Sequence, residues 1–129
     1  MAKRVLVVED NELNLKLFCD LLTAHGFTAD PIRDARLALA RAQAIQPDLI
    51  ILDIHMPHLS GIDLIRALKA DDALQKTPVM AVTAYAGKGD ELRVRQAGAD
   101  AFVSKPVTLL AFMRSIEDLL QLTDLSAPH

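Results

Sequence analysis

Three short runs of this chain are apolar at every position: residues 5–8 (Val-Leu-Val-Val), 49–52 (Leu-Ile-Ile-Leu) and 79–82 (Val-Met-Ala-Val). A strand with one face in water alternates apolar and polar residues. A run without alternation reads as a strand buried on both faces, which is the condition of a parallel sheet covered by helices on each side. Pro47 stands before the second run and Pro78 before the third, each a natural boundary for the segment that precedes it.

The segments between these runs carry helical patterns. Leu13, Leu17 and Leu21, with Phe18 and Leu22, form a stripe at i, i+4 spacing, opened by Asn11 as an N-cap and closed by Gly26. Residues 34–45 are rich in Ala, Leu and Arg; Ser60 can cap a helix carrying Leu64, Ile65 and Leu68; Leu109, Phe112, Met113, Ile116 and Leu120 make a last amphipathic helix. Residues 88–97 read as a helix with little apolar surface, only Leu92, Val94 and Ala97, and so as a candidate mobile element. Two weaker strands, residues 27–32 and 101–104, complete five strand–helix repeats. The alternation implies an α/β fold, a doubly wound parallel sheet with helices on both faces joined by right-handed crossovers; in a five-stranded sheet of order 2-1-3-4-5 the first and third strands are neighbours. Residues 123–129 read as a loose tail.

Length and composition bound the function. The 129 residues suit one domain, and 51% apolar with 24% charged residues is a globular composition. A net charge of −3 without a basic run argues against direct nucleic-acid binding, and 4% aromatic residues with no Trp argues against base-stacking platforms. The single Cys19 excludes an internal disulfide framework. The apolar run at residues 5–8 is too short for a signal peptide or a membrane span, so a cytoplasmic location without membrane insertion is expected.

In open parallel sheets, ligands sit beyond the carboxyl ends of the strands where the strand order reverses. Here those ends carry Glu9-Asp10, Asp53, Thr83 and Ser104-Lys105-Pro106. With the first and third strands adjacent, Glu9, Asp10 and Asp53 converge and repel one another. A hard divalent cation with oxygen ligands relieves that repulsion, and Mg²⁺ suits a site with few carboxylates that also meets phosphoryl oxygens. Lys105 offers a compact positive charge and Thr83 a hydroxyl. An Asp nucleophile, a cation, a Lys and a hydroxyl form the set that phosphoryl transfer to a carboxylate needs.

At these residues the chain resembles the response-regulator receiver family. The resemblance is carried by Val7-Val8-Glu9-Asp10-Asn11, by Leu52-Asp53-Ile54-His55-Met56-Pro57, by Gly61, by Val82-Thr83-Ala84-Tyr85 and by Ser104-Lys105-Pro106, in family order across residues 3–121. It implies a (βα)5 flavodoxin-like fold and a phosphoacceptor role for Asp53. It also implies Mg²⁺, with Mn²⁺ as a substitute, on Glu9, Asp10, Asp53 and the main-chain carbonyl of His55. Lys105 would pair with the phosphoryl group, Thr83 and Tyr85 would switch behind it, the small Ala84 would leave it accessible, and the Lys105–Pro106 peptide would be cis. The implied donor is a histidine kinase, acting also as phosphatase, or a histidine phosphotransfer protein. The implied exit is a protein target on the face of the fourth helix, fifth strand and fifth helix. Glu9-Asp10-Asn11-Glu12-Leu13-Asn14, Lys16-Leu17-Phe18 and Lys88-Gly89-Asp90-Glu91 are similar to single-domain regulators of cell division in alphaproteobacteria. A receiver domain over residues 1–122 without an output domain is therefore expected, catalysing only its own phosphorylation and dephosphorylation.

Other classes fit less well. A haloacid-dehalogenase-type phosphatase needs a second Asp where this chain has His55, and a flavodoxin-like phosphate loop would be repelled by Glu9-Asp10. A phosphorylation-independent receiver-like scaffold usually lacks one of the acidic, Thr or Lys residues, all of which stand here. Cys19 reads as a small filler on the first helix. His25, His55, His58 and His129 show no helical metal-ligand pair, and His55, two residues after Asp53, can influence the phosphoryl site. Asp90 and Glu91 read as complements to a helix N-terminus.

Overall fold

The computed structural model describes residues 3–83, 89–104 and 109–126. Its elements in chain order are β1 (Arg4–Val8), α1 (Glu12–Ala24), β2 (Thr28–Ile32), a 3₁₀ turn (Ala35–Leu37), α2 (Ala38–Ile45), β3 (Leu49–Asp53), α3 (Gly61–Ala70), β4 (Val79–Thr83), α4 (Asp90–Ala97), β5 (Ala101–Ser104) and α5 (Leu109–Ser126). The five strands are parallel, as the alternation of elements implies, and are ordered β2-β1-β3-β4-β5.

The all-apolar runs are explained by two separate cores. Leu6, Val8, Ile50 and Leu52 point to one face, where they meet Ala38 and Ala42 of α2, Leu64, Ile65 and Leu68 of α3, and Val94 of α4. Their neighbours Val5, Val7, Leu49, Ile51, Met80 and Val82 point to the other, against Leu15, Phe18 and Leu22 of α1 and Phe112, Met113 and Ile116 of α5. Phe18 and Phe112 stack with ring centroids 5.1 Å apart and join the two helices. β2 lies at the sheet edge, and this is why its run contains Asp30 and Pro31: an edge strand tolerates a residue without an N–H.

Gly26 ends α1 as expected. With φ of +88° it allows a paired closure, its own N–H donating to the Thr23 carbonyl and that of Phe27 to the Leu22 carbonyl. At the amino edge of the sheet, Lys69 Nζ donates to the Thr77 carbonyl at 2.8 Å and to Asp100 Oδ2 at 3.0 Å, and Asp100 also accepts from the Val79 N–H at 2.8 Å. This clamp ties the end of α3 to the starts of β4 and β5.

Three expectations are corrected. Of the stripe expected on α1, Phe18 and Leu22 are buried and Leu21 packs at the margin of the core, but Leu13 is 79% and Leu17 48% exposed, and Leu15 is buried instead. Helical spacing admits either set of leucines, and only the direction of the sheet decides between them. The residues 123–126 expected in a loose tail belong to α5. No Gly or Pro interrupts the sequence there before Pro128, and extending a formed helix is easy. In α4, Leu92 is 61% exposed, so the apolar anchor is Val94 and Ala97 alone.

Two substitutions test this assignment of faces. Phe112→Ala should lower unfolding stability by about 3–5 kcal/mol, and Leu13→Ala should change it by no more than about 0.5 kcal/mol, both read from urea denaturation midpoints.

Candidate functional site

The carboxyl ends of β1, β3 and β4 bring the polar residues together. The register Val8↔Leu52 places residues 9 and 53 alongside, and Asp53↔Val82 sets Thr83 at the next strand end. Glu9 stays on the sheet through its N–H, which donates to the Ile32 carbonyl at 3.0 Å. Among the described residues, Glu9, Asp10 and Asp53 form the one group of potential metal ligands, each offering an oxygen within 4.8 Å of the others. Two ionised carboxylates at that distance repel by on the order of 3 kcal/mol at an effective dielectric constant of about 20. Glu9 is 1% and Asp53 6% exposed, so water does little to relieve the repulsion.

Local hydrogen bonds hold these acids in place. The His55 N–H donates to Asp53 Oδ1 at 2.9 Å, and the Asn11 N–H donates to Glu9 Oε1 at 3.2 Å. Each is a short turn that fixes one carboxylate oxygen on the backbone two residues later. Asn11 also caps α1, its side chain accepting from the Asn14 N–H at 3.0 Å, so the helix start and the acidic pair are positioned together. Thr83 is completely buried. All the donors offered by the three acids are hard oxygens, the set that suits Mg²⁺, and no histidine joins them among the described residues.

Gly61 has a physical role that spacing alone does not reveal. A Cβ there would lie 2.3 Å from Ile54 Cα and 2.8 Å from the Asp53 carbonyl oxygen. Its N–H donates to the Ile54 carbonyl at 3.2 Å, so α3 begins pressed against the loop that follows Asp53. Ser60 caps this helix as expected, its hydroxyl accepting from the Ile62 N–H at 3.2 Å.

The site opens into a cleft of about 280 Å³ lined by Asp10, Arg33, Asp34, Pro57 and His58. Arg36 holds the Asp34 carboxyl down at about 2, chiefly by a side-chain hydrogen bond and then by its main-chain N–H. Cys19 is half-buried, and burial pushes its thiol up, in keeping with a filler and not a nucleophile. Lys105, Pro106, Ala84 and Tyr85, and with them the expected cis peptide, lie outside the described residues.

One site neighbour was missed in the sequence. Asp90, expected only to complement a helix N-terminus, is 5% exposed. It pairs with Arg93, and its Oδ2 lies 4.0 Å from Nε2 of His55. An acid at the first position of a helix is so common a cap that nothing in the sequence marks this one as buried.

Two predictions follow from this geometry. Gly61→Ala should destabilise the fold by about 1–3 kcal/mol in urea denaturation, because the new methyl group meets backbone that cannot rotate away. Asp34 ionises at lower pH when folded than its ordinary 3.8, so its contribution to stability is complete above that pH and is lost as pH falls through about 2. A carboxyl-detected NMR titration should place its midpoint near 2, and Arg36→Ala should return it toward 3.8.

Comparison with known proteins agrees with the fold and the acidic cluster. The family model for the response regulator receiver domain matches residues 5–117. The polar-differentiation response regulator DivK of Brucella anthropi is 48% identical over 120 residues, covering 93% of this chain and 98% of that protein. Its counterpart in Brucella ovis is 47% identical over the same coverage. Among solved structures, a CheY-like receiver domain from Methanospirillum hungatei superposes with a TM-score of 0.90 at 26% identity, covering 98% of this chain and 100% of that one. The chemotaxis protein CheY4 of Vibrio cholerae shares the fold, with a TM-score of 0.87 at 24% identity over 92% of this chain and 99% of that one. The chain belongs to the response-regulator receiver family of two-component signalling.

Proposed function

We propose that this chain is a single-domain response regulator, with its receiver in residues 1–122, that accepts a phosphoryl group on Asp53 and signals by phosphorylation-dependent protein binding. The observation that carries the reading is the convergence of Glu9, Asp10 and Asp53 within 4.8 Å at one sheet edge. Glu9 and Asp53 are buried and Asp10 half-buried, and like charges brought so close favour a cation shared among them.

Mg²⁺, or Mn²⁺ in its place, would be held by Glu9, Asp10, Asp53 and the His55 main-chain carbonyl, and would supply positive charge toward the carboxylates and phosphoryl oxygens. The Asp53 carboxylate forms the new O–P bond as the P–N bond of a donor phosphohistidine breaks, the electron pair leaving with the donor imidazole. The turn that fixes Asp53 Oδ1 on the His55 N–H limits the freedom the nucleophile must lose. Lys105 neutralises the phosphoryl charge from the β5 side, Thr83 donates its hydroxyl to a phosphoryl oxygen, and Tyr85 follows Thr83 inward. These residues catalyse only the chain's own phosphorylation and the hydrolysis of its acyl phosphate.

The donor is a histidine kinase, acting also as phosphatase, or a histidine phosphotransfer protein. The target is a protein that meets the α4–β5–α5 face, and a place in cell-division control is supported by the likeness to DivK. The match to the receiver family supports a cytoplasmic site of action.

Intact mass after incubation with acetyl phosphate tests the acceptor. Wild type with Mg²⁺ should gain one phosphoryl group, and Asp53→Asn or added chelator should abolish the gain. Mg²⁺ at about 100 times its dissociation constant should add about 2.7 kcal/mol to stability. Asp10→Asn should remove most of that gain while leaving the metal-free protein at least as stable, because it removes a repelling charge. A folded wild type labelled neither by acetyl phosphate nor by a phosphorylated histidine phosphotransfer protein would overturn the acceptor role in favour of a phosphorylation-independent scaffold.

A further inference from the structure

The cleft of about 280 Å³ beside the acids has Asp10, Arg33, Asp34, Pro57 and His58 as its walls. Asp10 joins it to the acceptor, since its carboxylate oxygen lies within 4.8 Å of one on Asp53. The charges around this cleft are committed to different degrees. Asp34 accepts from Arg36 through the main-chain N–H at 2.9 Å, through Nε at 3.0 Å and through Nη2 at 2.8 Å. The side chain of Arg33 makes no hydrogen bond among the described residues. It pairs only with Glu12, Nη1 to Oε1 at 3.9 Å, and the two side chains are 60% and 82% exposed. With Asp10 taken by the cation of the reading above and Asp34 by Arg36, the uncommitted charge in the cleft is a guanidinium. Its N–H donors form a planar fork that fits a carboxylate. The cleft is at the small end of ligand sites, with room for a short carboxylate and not for a nucleotide.

We propose that this cleft is the leaving-group subsite for small acyl phosphate donors, and that Arg33 sets the preference for them. The inference rests on the phosphoacceptor reading above and names a class of free donor that the same site takes. The Asp53 carboxylate forms the new O–P bond as the P–O bond to the acyl group breaks, and the electron pair leaves with the acyl oxygen as a carboxylate. Negative charge therefore grows on the leaving group, and a cation beside it stabilises the transition state more than the bound donor. Phosphoramidate supplies the contrast: its nitrogen is already protonated and leaves as neutral ammonia, so no charge grows within reach of Arg33. Lys105 is assigned to the phosphoryl oxygens, and Arg33 to the group they leave behind. Glu12 competes for the same guanidinium from an exposed position, and its hold is weak.

The test measures the rate of Asp53 labelling by intact mass, with Mg²⁺ at constant ionic strength and with acetyl phosphate or phosphoramidate as donor. Wild type, Arg33→Gln, Arg33→Lys and Glu12→Gln are compared. Arg33→Gln should slow labelling by acetyl phosphate about fivefold or more and labelling by phosphoramidate less than about twofold. Arg33→Lys, which keeps the charge and loses the fork, should recover part of the loss. Glu12→Gln should raise the ratio of the two rates by about twofold. The phosphoramidate arm also reports that each variant is folded. A readout apart from labelling is the Arg33 Nε–H resonance, which acetate should shift in the Mg²⁺-loaded protein and neutral acetamide should not. Equal slowing with both donors in Arg33→Gln, no slowing with either, or a resonance indifferent to acetate overturns the inference. So does a wild type labelled by a phosphorylated histidine phosphotransfer protein but not by acetyl phosphate, and that outcome leaves the acceptor reading standing. A wild type labelled by none of these donors overturns both.

Discussion

The parallel pairing of β1 with β3 is the constraint on which the rest depends. In parallel strands side by side, every carboxyl end lies at the same sheet edge, and Val8↔Leu52 sets the acids that follow β1 beside the one that ends β3. The same pairing buries both strands on both faces, so the backbone beneath the acids is rigid while their charges repel. The fold supplies the energy that keeps like charges together, through two apolar cores that share a single sheet.

The two edges of that sheet are built differently. At the amino edge, Lys69, Asp100 and the Val79 N–H form a satisfied clamp with opposite charges paired. At the carboxyl edge, carboxylate meets carboxylate, and short turns at Asn11 and His55 fix the oxygens. α4 spans the two, anchored apolarly by Val94 and Ala97 and electrostatically by Asp90 beside the acidic loop. α3, by contrast, is sealed by a continuous apolar stripe of Leu64, Ile65 and Leu68.

Gly61 shows how tightly the acceptor loop is confined. The N-terminus of α3 approaches so closely that any side chain would meet the backbone of Ile54 and Asp53. Movement of the loop toward α3 is blocked, and the direction left to it includes the side where His55 faces Asp90.

Sequence by itself determined the class of fold and the acidic set, because each is a matter of local pattern. Unbroken apolar runs require burial on both faces, strand–helix alternation requires parallel pairing, and residues at strand ends must fall at one edge. Caps at Asn11 and Ser60 and the closure at Gly26 were legible for the same reason, since their chemistry is complete within a few residues. Tertiary structure alone decided that Leu15 and not Leu13 or Leu17 of α1 is buried, and why position 61 admits no side chain. It also decided that Asp90, in the first turn of α4, is buried with its Oδ2 4.0 Å from Nε2 of His55, 35 residues away in the chain. Those outcomes depend on what another element presents at close range, and a periodic pattern carries the spacing of its own residues but not the identity of the surface they will meet.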